Sequence, residues 1–225
     1  MSAISYPMKY VDFCDILGFN DAVIRDFEAT KIVYKAFRNN LKLFLLDSMD
    51  VSVSIYSGSI LVISDELPPV FATVQALHWA AMIHKLIIKG GIAYGKHWHE
   101  FDGNSMYVVS DALVKAVAIE KTTKVPAIAI SNDIRLGLDM WIPQLYDVLN
   151  APLFFYDGLV IVNPFNYLWF ASSKIIASHL LDAHPSHKEE YQWFLSLFYA
   201  VDKSVLLIPE SIINKMLKYK ILTKI

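Results

Sequence analysis

YVDFCDILGF, Tyr10–Phe19, joins an apolar stretch to a carboxylate and then to a glycine turn. β-Branched and aromatic residues dominate Tyr10–Cys14, which predicts a core strand ending near Asp15. Gly18 and Phe19 then open a helical pattern. A glycine lets the backbone come close to a ligand, and amides at the start of a helix hold phosphate oxygens. A carboxylate beside such a turn is what a magnesium ion bridging to phosphates requires. The plainer reading of the same residues is a strand closed by Asp15 and turned by Gly18.

Outward from this stretch, Asn20 to Leu46 carries Val23, Phe27, Ile32, Val33, Phe37, Leu41 and Phe44 at helical spacing, one helix or two in tandem. Asp50 to Ser64 alternates Val51, Val53 and Ile55 against Ser52, Ser54 and Tyr56, turns at Ser57-Gly58, and resumes as a second strand. Pro68-Pro69 opens a helix with an apolar face through Val74, Leu77, Ala81 and His84. Leu86–Trp98 returns as a strand holding Gly90, Gly91 and Gly95, Ser110–Thr123 is helical, and Val125–Ser131 is a short apolar strand. This order predicts an α+β fold, a ferredoxin-like βααββαβ sandwich with helices on one face of a mostly antiparallel sheet. The other face is then free for a partner subunit.

From Asp133 the pattern loosens through Asp139–Pro152, with one more strand at Leu159–Val162 and helices at Ser172–Leu181 and Glu189–Val201. The last helix presents Tyr191, Trp193, Phe194, Phe198 and Tyr199 either to the core or to a second chain. No repeat or linker interrupts the sequence. The expectation is one domain over residues 1–225, with a core over about 8–135 and a C-terminal helical extension over about 136–225.

Hydrophobic residues make up 55% of the chain, with a mean hydropathy of +0.39, which raises the question of a membrane. The longest apolar stretch, ALHWAAMIHKLII, is cut by His78, His84 and Lys85, short of the ~18 to 20 residues that a span needs. MSAISYPMKY has no basic and apolar leader pattern, and Cys14 stands alone, so a soluble cytoplasmic protein without membrane contact is expected. A net charge of −2 argues against a broad nucleic-acid footprint.

The residues resemble a family. Asp15-Ile16-Leu17-Gly18-Phe19 is similar to the DIxGF turn that ends the first strand of the class III nucleotidyl cyclases. Ser57-Gly58-Ser59 sits where that family has its second metal aspartate, and Gly91–Gly95, GIAYG, resembles its glycine-containing strand. Asp111–Glu120 followed by VPAIAIS looks like its catalytic helix and next strand. The likeness covers roughly Tyr10 to Asp133, and within the family it is nearest to the bacterial pyrimidine cyclases of Pycsar antiphage systems. It implies conversion of UTP or CTP to a 3′,5′-cyclic nucleotide and pyrophosphate, an effector acting through the product, and a homodimer with sites between subunits. It also implies two Mg²⁺ or Mn²⁺ ions, with Asp15 and the Ile16 carbonyl as metal ligands and the Gly18 and Phe19 amides on phosphate.

Base selection follows from the same likeness. The purine-reading positions fall on Ser54 and about Tyr107, neither of them charged, and Tyr56 or Tyr107 would stack on or hydrogen-bond a smaller base. Outward strand positions are the alternative reading of Ser54 and Tyr56.

The departures matter as much. Gly58 takes the place of the second metal aspartate, which reads as an inactivating change, a one-carboxylate site of reduced activity, or a misplaced alignment. Asp12, Asp47, Asp50 and Asp65 are no evident replacements. The transition-state asparagine and arginine of the purine enzymes fall on Val114 and Ala118, leaving Lys115, Lys121 or Lys124 as nearby cations. Each of these also reads as a solvated helix lysine. His97 and His99 share a strand face but lack a third ligand and read as a solvated hairpin tip. HPSH, His184–His187, reads as a turn with a capping serine. A non-catalytic nucleotide-binding or scaffold protein is the contrasting expectation, and an interaction module using the aromatic C-terminal helix is a third.

Overall fold

The computed structural model describes residues 6–44, 50–103, 105–203 and 208–223. Asp47 and the expected run of the second helix to Leu46 lie outside them. The elements are β1 (Met8–Ile16), α1 (Phe19–Arg25), α2 (Phe27–Phe44), β2 (Val51–Tyr56), β3 (Ser59–Ser64), α3 (Leu67–Ile83), β4 (Ile88–Asp102), β5 (Ser105–Ser110), α4 (Asp111–Thr123) and β6 (Ile128–Ile130). After these come α5 (Pro143–Tyr146), β7 (Leu153–Tyr156), β8 (Leu159–Val162), α6 (Phe170–Ala183), α7 (Lys188–Asp202) and α8 (Glu210–Lys218). The expected α+β order is present, with β5 inserted before α4.

One sheet runs β2-β3-β1-β4-β6-β8-β7, and β5 pairs with the far half of β4. Only β4 and β6 run parallel among the paired strands. The hairpin between β2 and β3 turns on Ser57 and Gly58, both at positive φ, as the right-handed twist of the flanking strands demands. The extension is not purely helical, because β7 and β8 continue the sheet.

Helices pack on both sheet faces. Cys14 and Ile16 of β1, Ile60 and Val62 of β3, and Ile88 and Ile92 of β4 pack with Phe37 and Leu41 of α2 and Val70, Val74 and Leu77 of α3. On the other face Val11 and Leu61 meet Ala112 of α4. Ala127, Ala129, Phe154 and Ile161 there lie under Ala177 and Leu180 of α6 and Phe194, Leu197 and Phe198 of α7. The face expected to be free for a partner is therefore occupied by the chain's own α4, α6 and α7 over its middle and far strands, while its β2–β3 end, with Tyr56 60% exposed, stays open. The aromatic side of α7 packs inward, with Tyr191 and Phe194 buried and Phe165 at ring distances of 5.3 Å from Phe194 and 6.2 Å from Phe198. An interaction module built on that helix face loses its surface.

α4 lies directly on β4 because the strand offers no side chain beneath it. A Cβ on Gly91 would stand 2.7 Å from the Ala116 carbonyl oxygen and 2.6 Å from the Ile119 Cβ. The Ser110 hydroxyl caps this helix by accepting from the Leu113 amide at 3.0 Å.

Candidate active site

Strand register sets one row across the sheet. Asp15 pairs with Ser59 on one side and Lys89 on the other, and Ser59 pairs with Tyr56. Directly opposed residues point to the same face, so Tyr56, Ser59, Asp15 and Lys89 stand side by side on the α4 face. The next row on that face is Ser54, Leu61, Phe13 and Gly91. The Ser59 hydroxyl donates to Asp15 Oδ1. Lys89 Nζ is held 2.5 Å from Glu120 Oε1, a carboxylate that α4 buries against the sheet.

Ser59, not Gly58, is thus the residue opposite Asp15. The backbone fixes this. The Gly58 carbonyl accepts from the Ile16 amide at 3.0 Å, its φ is +95°, and a Cβ there would stand 2.6 Å from Phe19 Cδ1. A side chain at 58 would meet the Phe19 ring in a left-handed conformation that favours glycine.

Beyond Asp15 the chain turns through Leu17 and Gly18, whose φ of 73° is the left-handed region. The Leu17 amide donates to the Ile87 carbonyl at 2.8 Å, and the amides of Phe19, Asn20 and Asp21 open α1 without intrahelical acceptors. This turn lines a cavity of about 230 Å³ with Asp15, Lys89, His187 and Glu190. Asp15 and the Gly18-Phe19 turn are brought together as expected of them, and Ser54 and Tyr56 stand on the same face.

Tyr107 is not brought to this site. It lies on β5 opposite Glu100, 54% exposed, on the arm that β4 and β5 form beyond the sheet. The strand length from Lys89 to Glu100 puts it on the order of 35 Å from Asp15. His97 departs from the solvated-tip expectation: it is buried, its amide donates to the Pro7 carbonyl at 2.9 Å, and burial holds its imidazole below the ordinary value. Ser186 makes no capping bond in the HPSH turn. Val114 and Ala118 are exposed on α4, while Lys115 is engaged by Asp133 at 3.6 Å and donates to the Tyr94 carbonyl at 3.2 Å. Lys121 and Lys124 are exposed.

The donor set fits one divalent ion better than two. Among the described residues no three His, Cys, Asp or Glu side chains converge on a metal position. Mg²⁺ is commonly held by one or two carboxylates with water and substrate phosphates completing its shell. Asp15 supplies one carboxylate; Ser59 supplies a hydroxyl where a second would stand.

Ser59, the Lys89–Glu120 pair, His187 and Glu190 escaped the sequence reading. A lysine inside the apolar run LIIKGG was the available signal for Lys89. Nothing in sequence marks His187 as a neighbour of Gly18, because only tertiary packing joins them.

Fold and site together define an α+β sheet protein with a carboxylate at the mouth of a phosphate-sized pocket. No protein-family model and no curated protein matches the chain. Solved structures show likeness at low identity. The adenylyl cyclase CyaB from P. aeruginosa is 13% identical, covering 70% of this chain and 93% of its own, with a TM-score of 0.48. The guanylate cyclase domain of RhGC from Catenaria anguillulae, solved in complex with GTP, is 16% identical, covering 58% and 81%, with a TM-score of 0.43. A bacterial light-regulated adenylyl cyclase is 14% identical, covering 57% of this chain, which spans only 43% of that one, with a TM-score of 0.42.

Proposed function

We propose that the chain is a pyrimidine nucleotide cyclase that converts UTP or CTP to the 3′,5′-cyclic nucleotide and pyrophosphate, a second messenger of antiviral defence acting through a downstream effector. The observation that carries this reading is the row Tyr56, Ser59, Asp15 and Lys89 beside the Gly18 turn. The cavity at that turn, about 230 Å³, is smaller than the ~300 Å³ at which whole-ligand pockets begin, yet suits a polyphosphate. Ribose and base then lie outside it, over Ser59, Tyr56 and Ser54. Those side chains offer hydroxyls and an exposed ring, with no charge to read a purine edge.

The ribose 3′ oxygen attacks the α-phosphorus, a new ester bond forms, the bond to the β-phosphate bridge breaks, pyrophosphate leaves, and the 3′ proton passes to solvent. Positioning and charge neutralisation are the help such a reaction needs. Asp15 would hold the divalent ion, Mg²⁺ or Mn²⁺, which neutralises phosphate charge when bound. The Gly18 and Phe19 amides would orient phosphate oxygens, and the Ile16 carbonyl would be a further ligand for that ion. Tyr107 reaches a base only from a second copy, so the reading includes a homodimer in which the β4–β5 arm of each chain extends over its neighbour.

A second reading has its own observation: Ser59 faces Asp15 without a carboxylate, and Val114 and Ala118 give α4 neither amide nor guanidinium. That favours a non-catalytic nucleotide binder on the same fold. Product formation from the four ribonucleoside triphosphates with Mn²⁺ separates the two. Ser59→Asp is expected to raise cyclic pyrimidine product at least about tenfold, the low end of what a metal-shell group contributes. Asp15→Asn removes product, and Gly58→Asp lowers the melting temperature without raising product. Nucleotide-dependent stabilisation with no product from wild type or Ser59→Asp would establish the binder instead.

A further inference from the structure

The wall of the phosphate-sized cavity opposite Asp15 comes from the stretch after α6, which the cyclase reading leaves without a role. His187 and Glu190 line that cavity together with Asp15 and Lys89. The His187 Cδ2 lies 3.5 Å from the place a Cβ on Gly18 would fill, so the imidazole rests against the glycine turn. Its orientation is fixed from three sides. Nε2 is 3.6 Å from Asp21 Oδ2, Nδ1 is 3.5 Å from Glu190 Oε1, and the Tyr191 ring meets it edge-on at 6.4 Å.

We propose that His187 is a substrate-positioning residue that donates an N–H to the polyphosphate of the bound nucleotide, which makes the C-terminal segment part of the active site. The inference rests on the cyclase reading and adds a residue to it. Charge in the cavity is the argument. Asp15, Asp21 and Glu190 bring three carboxylates to its lining, against Lys89 as a cation and His187 as a further N–H donor. Lys89 is committed to the buried Glu120 at 2.5 Å, and turning it to a phosphate would strand that carboxylate. His187 carries no such obligation, since both of its carboxylate partners are at longer range and Asp21 is exposed. A phosphate oxygen entering the cavity replaces one carboxylate partner of a ring that is already aimed. The competing role is a simple tether between α1 and α7.

Calorimetric binding of inorganic tripolyphosphate in the presence of Mn²⁺, measured on the full chain, tests this without requiring turnover. His187→Phe, which keeps a ring against Tyr191 and removes both nitrogens, is expected to weaken binding roughly ten- to hundred-fold, the scale of one charge-assisted hydrogen bond, and His187→Arg to restore it. If His187→Phe also lowers the melting temperature, His187→Arg decides: recovered affinity supports the contact, and affinity still low overturns it in favour of the tether. Wild-type affinity in His187→Phe alongside weakened binding in Asp15→Asn overturns the inference and leaves the cyclase reading standing. No tripolyphosphate binding by wild type overturns both.

Discussion

Asp12 is buried in β1 on the face opposite Asp15, with the Cys14 thiol beside its carboxyl. Burial raises its carboxyl from 3.8 to about 8, weakly offset by the Cys14 thiol beside it. The native state therefore keeps a proton that the unfolded chain releases above pH 3.8, and stability falls as pH rises toward 8. His78, buried on α3 and lowered by burial from 6.5 to about 3, acts in the opposite sense: stability falls as pH drops below 6.5. The two slopes oppose each other between about pH 4 and 6.5, and the lowered His84, His97 and His184 act in the same sense as His78, so the Asp12 loss shows most clearly toward pH 8. Wild type is expected to lose about 1 kcal/mol between pH 6.5 and 8, less than the full ~1.4 kcal/mol per pH unit of one proton because Asp12 is half ionised at about pH 8 and the unfolded His78 is half protonated at 6.5. Asp12→Asn abolishes that loss whatever its effect on baseline stability. Urea titrations at the two pH values check it, and an unchanged slope in the variant would refute the assignment.

At the scale of elements, the seat of α4 on β4 depends on Gly91. Gly91→Ala places a Cβ inside contact distance of the Ala116 carbonyl and Ile119, and overpacking of this kind costs about 1–3 kcal/mol. The denaturation midpoint should fall accordingly, and a neutral result would mean that α4 floats on the strand. Legibility in sequence follows the same elements. Strand β1, the β2–β3 turn and α4 were legible because alternation, a turn dipeptide and helical spacing are local signals. The pairing of Ser59 with Asp15 was not, since a one-residue shift in a strand turns every side chain to the other face. Gly58 itself keeps the turn position that the Ser57-Gly58 dipeptide predicts. β5 carries no alternation of its own beyond the Asp102-Gly103 turn signal, and without that strand nothing local separates Tyr107 from Ser54 and Tyr56. The inward packing of α7 was left open because an apolar helix face looks the same whether it meets its own sheet or another chain.

For the molecule as a whole, the described residues include no helix long and apolar enough to cross a membrane. With helices on both sheet faces, the apolar surface that remains includes the β4–β5 arm, where Tyr107 and Val109 are 54% and 70% exposed, and Val114 of α4 at 69%. If the homodimer forms through this arm, light scattering gives twice the chain mass for wild type and a single chain for Trp98→Glu with Val109→Glu. A wild type that stays monomeric at the concentrations where it turns over nucleotide would sink the shared-site reading. The wall formed by His187 and Glu190 also has a consequence for synthesis. The ribosome releases Asp15, the Gly18 turn and Lys89 long before it releases the segment that closes the pocket over them. A nascent or prematurely terminated chain holding strands β1 to β6 thus carries the acidic residue and the glycine turn without the wall that encloses them.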